Sequence, residues 1–241
     1  LHLLSRRQRQ MCIRDRKKQT QFIASASHEL RTPLAVVRSG LESVEKCSNE
    51  EERNHFLHLM SEETVHMKRL IDDMLLLANS DADTLTIKPE ACQPDLLLLD
   101  TYEKFEPLAR KNGLHLILTL PEEILPDCFC DIHRTEQIFS IIVDNALCYT
   151  PSGGKVTLSC HAENEMLCFL FKDTGCGISE EKKSHIFERF YRADDAHTDR
   201  EHFGLGLCIA KELTEKQNGN IQVVDAPISG SCFMVQLPCA L

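Results

Sequence analysis

The stretch Phe22–Leu34, with the sequence FIASASHELRTPL, decides the fold of the first part of the chain. A seven-residue apolar repeat runs through it and predicts a helix with a coiled-coil-like seam. His28 lies just beside this seam, where a neutral, water-exposed imidazole is a usable nucleophile near pH 7. A histidine on a bundle helix is more often only a surface residue. The repeat positions are Ile23, Leu30, Val37 and Val44, with Ser27, Leu34 and Leu41 beside them.

Composition limits the class of protein. The chain has 241 residues, of which 42% are hydrophobic, so it can build one large or two ordinary domains with real cores. Its net charge of -10 argues against a nucleic-acid partner, because such proteins usually carry a dominant basic face. The longest apolar runs, such as Leu96–Leu99, are too short to cross a bilayer.

The twelve cysteines show no repeating pair spacing. Cys128 and Cys130 are the only close pair, and no second pair completes a zinc site of the usual spacing. We therefore expect reduced, mostly buried thiols and no metal ligands.

Residues 1–18 form a basic N-terminal segment with seven Arg or Lys against one Asp. Under the positive-inside rule, such a segment before a helix is typical of a juxtamembrane region. This interpretation predicts a longer protein that is membrane-anchored upstream, with this chain as its cytoplasmic portion. The alternatives are a solvated helix end or a non-native sequence around Met11–Arg16.

Helical periodicity covers residues 19–47, with a bend expected at Pro33, and again residues 51–79. Two such helices expose too much apolar surface for one hairpin. Pairing with a second copy as a homodimeric four-helix bundle would cover that surface. We therefore predict an all-α hairpin domain over 19–80 and a linker over 81–94, where prolines and aspartates break the period.

The pattern changes in residues 95–241 to short strands that alternate with helices, which predicts an α+β two-layer sandwich with helices on one face of a mixed sheet. The predicted helices are 95–111, 131–148, 180–189 and 207–217. The predicted strands are 114–120, 156–161, 166–171, 221–224 and 231–237.

Three stretches of this second domain carry groups that suit a nucleotide. Asp173 follows a strand directly and precedes a two-glycine turn, so its carboxylate can accept a bond from an exocyclic amine while the glycines admit a flat base. Gly204–Leu207 opens a helix, whose N-terminus favours phosphate. Asn145 offers an oxygen to a hard cation such as Mg²⁺. Each of these signals is weak by itself.

Taken together, the motifs resemble those of the sensor histidine kinases of two-component systems, from about Gln19 to the C-terminus. That family has a dimeric phosphoacceptor hairpin followed by a Bergerat-type ATP-binding domain, so the resemblance implies this architecture here. The matching boxes are Ser27–Leu34 (phosphoacceptor), Asp144–Ala146 with Tyr149–Pro151 (asparagine), Asp173–Ile178 (first glycine), Ile186–Arg192 (phenylalanine) and Gly204–Leu207 (second glycine).

The resemblance implies the chemistry of the first domain. His28 would take the γ-phosphoryl group of ATP, and Glu29 would orient or deprotonate the imidazole. The phosphohistidine would then pass its phosphoryl group to an aspartate in the receiver domain of a response regulator. Thr32 would position water when the domain dephosphorylates that partner.

The resemblance also implies ATP and Mg²⁺ as cofactors. Asn145 would hold Mg²⁺, Asp173 would bind the adenine amine, and residues 193–203 would form a lid, with Arg192 or Arg200 available to a phosphate. The remaining nucleotide-binding residues would be Tyr149, Gly175, Gly177, Ile178, Gly204, Leu205, Gly206 and Leu207.

Three departures bear on activity. The family often has asparagine where Ile141 stands and a basic residue where Cys148 stands, and His202-Phe203 replace a common glycine. Loss of a cation from a phosphate site would lower affinity or rate. Two other functions remain open at this point: an ATPase that works as a conformational clamp, and a non-catalytic dimer scaffold that binds a receiver domain.

Overall fold

The computed structural model describes residues 2–192, 203–225 and 230–240, with side chains from Thr20 onward except that of Asp225. Two compact units are present. The first extends to Leu75, and the second contains the described residues from Leu76 to Arg192 and from Gly204 onward. Within these described ranges, no helix is long and apolar enough to cross a membrane.

The first unit is a pair of long helices. Helix α1 is His2–Lys46, and helix α2 is Glu50–Asp81, whose last residues belong to the second unit. The side chain of Asn49 accepts the N–H of Glu51 at 2.9 Å, which satisfies a donor at the start of α2. The predicted hairpin is confirmed, but α1 begins near His2 rather than at residue 19 and continues without interruption through Pro33.

The face of α1 that is buried within one chain is not the face of the predicted seam. The buried positions within one chain are Ala26, Pro33 and Gly40, which also repeat every seven residues. A Cβ on Gly40 would lie 2.7 Å from Cγ of Met60, so small residues let α2 approach α1 closely there. Of the predicted seam residues, Leu30, Val37 and Val44 are half-buried, whereas Ile23 is 59% exposed and Leu34 beside it is 57% exposed. Small residues therefore form the contact of α1 with α2, and the seam stays a prediction.

The second unit combines two sheets with packed helices. The strands are β1 Glu90–Cys92, β2 His115–Thr119, β3 Cys128–Cys130, β4 Lys155–Glu163, β5 Met166–Asp173, β6 Asn220–Asp225 and β7 Ser231–Pro238. The five-stranded sheet has the order β2-β4-β5-β7-β6, in which only the pair β2 and β4 is parallel, and the two-stranded sheet pairs β1 with β3. The helices are α3 Pro94–Lys111, α4 Ile132–Tyr149, α5 Glu180–Lys183 and α6 Gly206–Glu215.

Aromatic packing fixes α4 on the large sheet. The ring of Phe139 lies 4.8 Å from that of Phe169 and 5.0 Å from that of Phe171, and all three side chains are fully buried. Asp131 caps α4 by accepting the N–H of Arg134 at 3.1 Å. This confirms the predicted cap, and the mixed sheet with packed helices confirms the predicted α+β class.

Two predictions of secondary structure differ from the structure. The helix predicted at 180–189 is only Glu180–Lys183, because the chain then continues in turns and Phe190 adopts a φ of 62° that no helix contains. Strands β1 and β3 were not expected. Each has three residues, so neither carries enough alternation to be recognised in the sequence.

Candidate functional site

His28 is an exposed residue on α1. Its side chain is 75% exposed, and its Nδ1 lies 3.6 Å from Oε1 of Glu29. The Glu29 carboxylate lies near the Nδ1 edge of the ring, beyond hydrogen-bonding distance, and Nε2 lies at the opposite edge. The arrangement presents a nucleophilic nitrogen to the solvent.

Thr32 follows His28 by one helical turn and is also exposed. Beside it, an open groove within the first unit runs between α1 and α2. The groove is lined on one side by Thr32, Val36 and Gly40 and on the other by Phe56 and Met60. The structure therefore places the three predicted catalytic residues on one stretch of α1 that borders this groove.

Asp173, at the end of β5, is a buried carboxyl group that is 4% exposed. Its Oδ1 accepts the N–H of Gly175 at 2.8 Å and the N–H of Ser231 at 3.0 Å. Burial raises the pKa of Asp173, although the two backbone bonds act in the opposite direction. A carboxylate has further lone pairs, so Asp173 keeps acceptor capacity for an exocyclic amine.

Glycines surround this carboxyl group for steric reasons. A Cβ on Gly175 would lie 2.4 Å from the carbonyl oxygen of Tyr149, so the turn after β5 packs directly on the end of α4. A Cβ on Gly230 would lie 2.1 Å from the carbonyl oxygen of Asp173. Gly230 and Ser231 were not predicted as site residues, because only the pairing of β5 with β7 brings them to Asp173.

Asn145 is half-buried on α4. Its side-chain nitrogen donates to the carbonyl oxygen of Ile141 at 2.8 Å, an orientation that leaves the amide oxygen to accept or to bind a cation. One such oxygen suits Mg²⁺, which takes few protein ligands and completes its shell with water and phosphate oxygens.

Ile141 packs against the start of α6. A Cβ on Gly206 would lie 3.2 Å from Cγ2 of Ile141, so Gly206 packs on this side chain. Ile141 itself lies one helical turn before Asn145 on α4. Gly204 has a φ of 72°, and its carbonyl oxygen accepts the N–H of Phe190 at 2.9 Å. Leu205 is buried, which fixes the beginning of a ten-residue helix whose N-terminal N–H groups favour an anion.

The second unit thus brings together Asp173, Gly175, the end of α4 and the start of α6. Gly177 has a φ of 75°, and Ile178 and Leu207 are half-buried. Tyr149 and Arg192 are exposed. Residues 193–202 of the predicted lid, including Arg200 and His202, lie outside the described residues.

An ion pair that sequence reasoning missed joins the end of α2 to the phenylalanine box. Arg189 donates from its two terminal nitrogens to the two carboxylate oxygens of Asp81, at 2.7 and 2.8 Å. The Arg189 hydrogen bonds lower the pKa of Asp81. Ser80 donates to Glu212 at 2.8 Å, and Lys216 contacts Asp83. These contacts fix the segment 80–83 within the second unit.

Comparison with known proteins identifies the family. Residues 18–83 match the family model described as the His Kinase A (phospho-acceptor) domain. Residues 130–241 match the model of the histidine kinase-, DNA gyrase B- and HSP90-like ATPases. The sensor histidine kinase RppB of Synechocystis is 34% identical over 226 residues, which cover 92% of this chain and 49% of RppB. This chain belongs to the sensor histidine kinases of two-component systems.

Two solved structures share the fold of this histidine kinase. Full-length ShkA, crystallised in complex with AMPPNP, is 28% identical and covers 92% of the chain with a TM-score of 0.70, while the chain covers 46% of ShkA. Histidine kinase ThkA, in complex with the response regulator TrrA, is 19% identical with a TM-score of 0.73, over 94% of this chain and 65% of that structure. The curated relatives match along 37% to 49% of their own length.

Proposed function

We propose that this histidine kinase uses ATP to phosphorylate itself on His28 and then transfers the phosphoryl group to an aspartate of a response regulator. The observation that carries the proposal is that one chain contains both an exposed imidazole near Glu29 and a second unit whose buried Asp173 is fixed by two backbone bonds. The string Ser27–Leu34 supplies the acceptor, and the ATPase-like unit supplies the donor.

In the proposed reaction, Nε2 of His28 attacks the γ-phosphorus of ATP. The new N–P bond forms as the bond between the γ-phosphorus and the β,γ-bridging oxygen breaks, and ADP leaves. Glu29 takes the proton from Nδ1, so the product is a neutral-ring phosphohistidine. Such transfer depends mainly on positioning and charge neutralisation, since the protein contributes little covalent chemistry.

The second unit would hold the nucleotide. Asp173 would accept a bond from the adenine amine, and Gly175 and Gly177 would let the base approach the backbone. The start of α6 at Gly206 would face the phosphates. The amide oxygen of Asn145 would bind Mg²⁺, which neutralises phosphate charge in this chemistry. ShkA, which was crystallised with AMPPNP, supports nucleotide use by this fold.

We further propose a homodimer and a receiver-domain partner. Apolar side chains stay exposed along both helices of the isolated hairpin, and a second copy would cover them as a four-helix bundle. The complex of ThkA with TrrA supports a response regulator as the partner. Thr32 would position water for dephosphorylation of that partner. The exposed large apolar residues described on the hairpin are Ile23, Leu34, Leu41, Leu57, Leu59, Val65, Ile71 and Leu75.

The membrane anchorage and cytoplasmic location of the whole protein stay predictions. The basic segment 1–18 is the feature of the sequence that motivates them.

The test is incorporation of label from γ-³²P-ATP into the chain, in an acid-labile, alkali-stable form. We expect His28→Gln to reduce the label to background. His58→Gln is the matched control, because His58 on α2 is 72% exposed and its Nδ1 lies 3.4 Å from Oε2 of Glu62. We expect that variant to keep full labelling.

Three outcomes would contradict the proposal. Label retained in His28→Gln would show that another residue is the phosphoacceptor. ATP hydrolysis without any phosphoprotein in the unmodified chain would favour the clamp ATPase, and a chain that binds no nucleotide in calorimetry would favour the scaffold.

A further inference from the structure

Three thiols converge where β1 meets β3. Cys92 pairs with Cys128 across the antiparallel strands, and Cys130 follows Cys128 by two residues, so all three lie on one face of the ribbon. Their sulfur atoms all lie within 4.8 Å of one another, and the Cys92 and Cys130 sulfurs are 3.4 Å apart. The spacing of the cysteines along the sequence does not reveal this cluster, because Cys92 lies 36 residues before Cys128.

The burial of the cluster is graded. Cys128 and Cys130 are fully buried, whereas Cys92 is half-buried and forms the edge through which an ion can enter. Among the cysteines whose side chains are described, all are unbridged thiols. Simple packing needs no such convergence, because small buried thiols pack equally well when they are dispersed.

From this geometry we propose that Cys92, Cys128 and Cys130 bind one thiophilic d¹⁰ cation, Zn²⁺ or Cu⁺. Metal–thiolate bonds of about 2.3 Å around a single ion place the sulfurs about 3.8–4.0 Å apart, close to the spacing present here. Thiolate is the ligand that soft ions select over harder donors. Three S–H groups release their protons to the solvent, three sulfur–metal bonds form as water or chelator leaves the ion, and the ion keeps its oxidation state.

Two neighbouring contacts connect the proposed site to the nucleotide-binding unit. Asp131, next to Cys130, caps α4 through its Oδ1 and accepts the N–H of Lys88 with its Oδ2 at 2.9 Å. A bound ion would therefore fix the segment 88–92 to the start of the helix that carries Asn145. The ion would stabilise this unit by binding its folded form alone.

The experiment titrates the full chain, reduced and metal-free, with Zn²⁺, Cd²⁺ or Cu⁺ without oxygen. A competing chelator is present to remove weakly held ions, and native mass spectrometry counts those that remain. We expect one retained ion per chain, a rise in Tm, and with Cd²⁺ a sulfur-to-metal absorption band whose intensity corresponds to three thiolates. Competition between Zn²⁺ and Cu⁺ identifies which ion the site prefers.

Cys92→Ser tests the ligand set, because Cys92 is half-buried and its replacement spares the core. We expect affinity to fall by at least about a hundredfold, since removal of a ligand should exceed the 10–100-fold cost of losing a supporting group. Cys176→Ser, at an exposed thiol outside the cluster, is the control and should bind as the unmodified chain does. Cys130→Ser, checked for folding by circular dichroism, should also lose the ion.

The proposal is overturned if Cys92→Ser retains the ion as strongly as the unmodified chain does, or if the Cd²⁺ band corresponds to fewer than three thiolates. It is also overturned if the reduced chain takes up no ion and air oxidation instead yields a Cys92–Cys130 disulfide in peptide mapping. The cluster would then be a redox pair.

Discussion

The phosphoacceptor region and the nucleotide region are built in opposite ways. His28, Glu29 and Thr32 lie within about one turn of a single helix and face solvent. Asp173, in contrast, is buried, and its partners come from the next turn of the chain and from Ser231, which is distant in sequence. Substitutions in the first region should therefore change the reaction with little effect on stability, whereas a substitution of Asp173 should change both.

Gly230→Ala should break the second region most strongly. The residue has a φ of 89°, and the new Cβ would meet the Asp173 carbonyl oxygen at 2.1 Å, so the backbone must move. We expect a loss of about 3 kcal/mol or more in the free energy of unfolding, together with loss of nucleotide binding.

Gly153→Ala is the matched control for this steric effect. Gly153 has a φ of 82° but no atom within 4 Å of a Cβ, so only the conformational cost of about 1 kcal/mol remains. Denaturant unfolding and calorimetry of both variants give the comparison. Equal losses in the free energy of unfolding would show that the contact between the new Cβ and the Asp173 carbonyl oxygen does not destabilise the fold.

Asp173→Asn should change nucleotide affinity and stability in opposite directions, because one carboxyl group determines both. A neutral amide oxygen accepts a weaker hydrogen bond from the adenine amine than a carboxylate oxygen does. Nucleotide affinity should therefore fall by about 10–100-fold, because a hydrogen bond to a charged group contributes about 1.5–3 kcal/mol.

Stability should change in the opposite direction in the same variant. Burial raises the pKa of Asp173, so the native state binds more protons than the unfolded chain, and stability falls as pH rises through the folded pKa. Asp173→Asn removes this loss, and Tm at neutral pH should equal or exceed that of the unmodified chain. A lower Tm in thermal unfolding, with unchanged affinity, would contradict both expectations.

Asp73 on α2 is a half-buried carboxyl group of the helical unit. Burial, with repulsion from Asp72, raises its pKa to about 6 against an attraction to Arg69. The native state therefore binds an extra proton between about pH 4 and 6, and stability falls as pH rises across that window, by about 1–3 kcal/mol. Asp73→Asn should flatten this slope in unfolding experiments from pH 4 to 7. A slope unchanged in the variant would assign the pH dependence to another group.

Asp81→Asn should have the smallest effect. The two-bond contact with Arg189 lowers the pKa of Asp81, so its contribution is present above the unfolded pKa and disappears as pH falls below it. Because the pair is partly exposed, we expect a loss of only about 1 kcal/mol at neutral pH. Asp83→Asn is the control, since Asp83 is 89% exposed beside Lys216 and should cost less. Equal costs in denaturant unfolding would show that the two-bond geometry adds nothing.

The sequence predicted what depends on neighbours along the chain. The string Ser27–Leu34, the hairpin and the Asp131 cap of α4 are local features, and so is the glycine turn after Asp173. The contact face between α1 and α2 was not predicted, because Gly40 and Ala26 pack there through their small size, which a search for large apolar residues overlooks.

Contacts between distant strands could not be predicted in the same way. Ser231 reaches Asp173 only because β7 pairs with β5, and Cys92 reaches Cys130 only because β1 pairs with β3. The contact of Arg189 with Asp81 likewise spans more than a hundred residues. Single-sequence patterns hold no information on such pairings when the strands are short.

The fixed position of Asp173 has a consequence for the choice of nucleotide. Two backbone bonds hold its carboxyl group before any ligand arrives, so the group cannot turn away from a mismatched base. On the proposed assignment, adenine presents an amino group to it, whereas guanine would present a carbonyl oxygen at the same point of the ring. Two acceptors would then face each other in a buried site, which is unfavourable. The rigidity of one carboxyl group would make GTP a poor substitute for ATP.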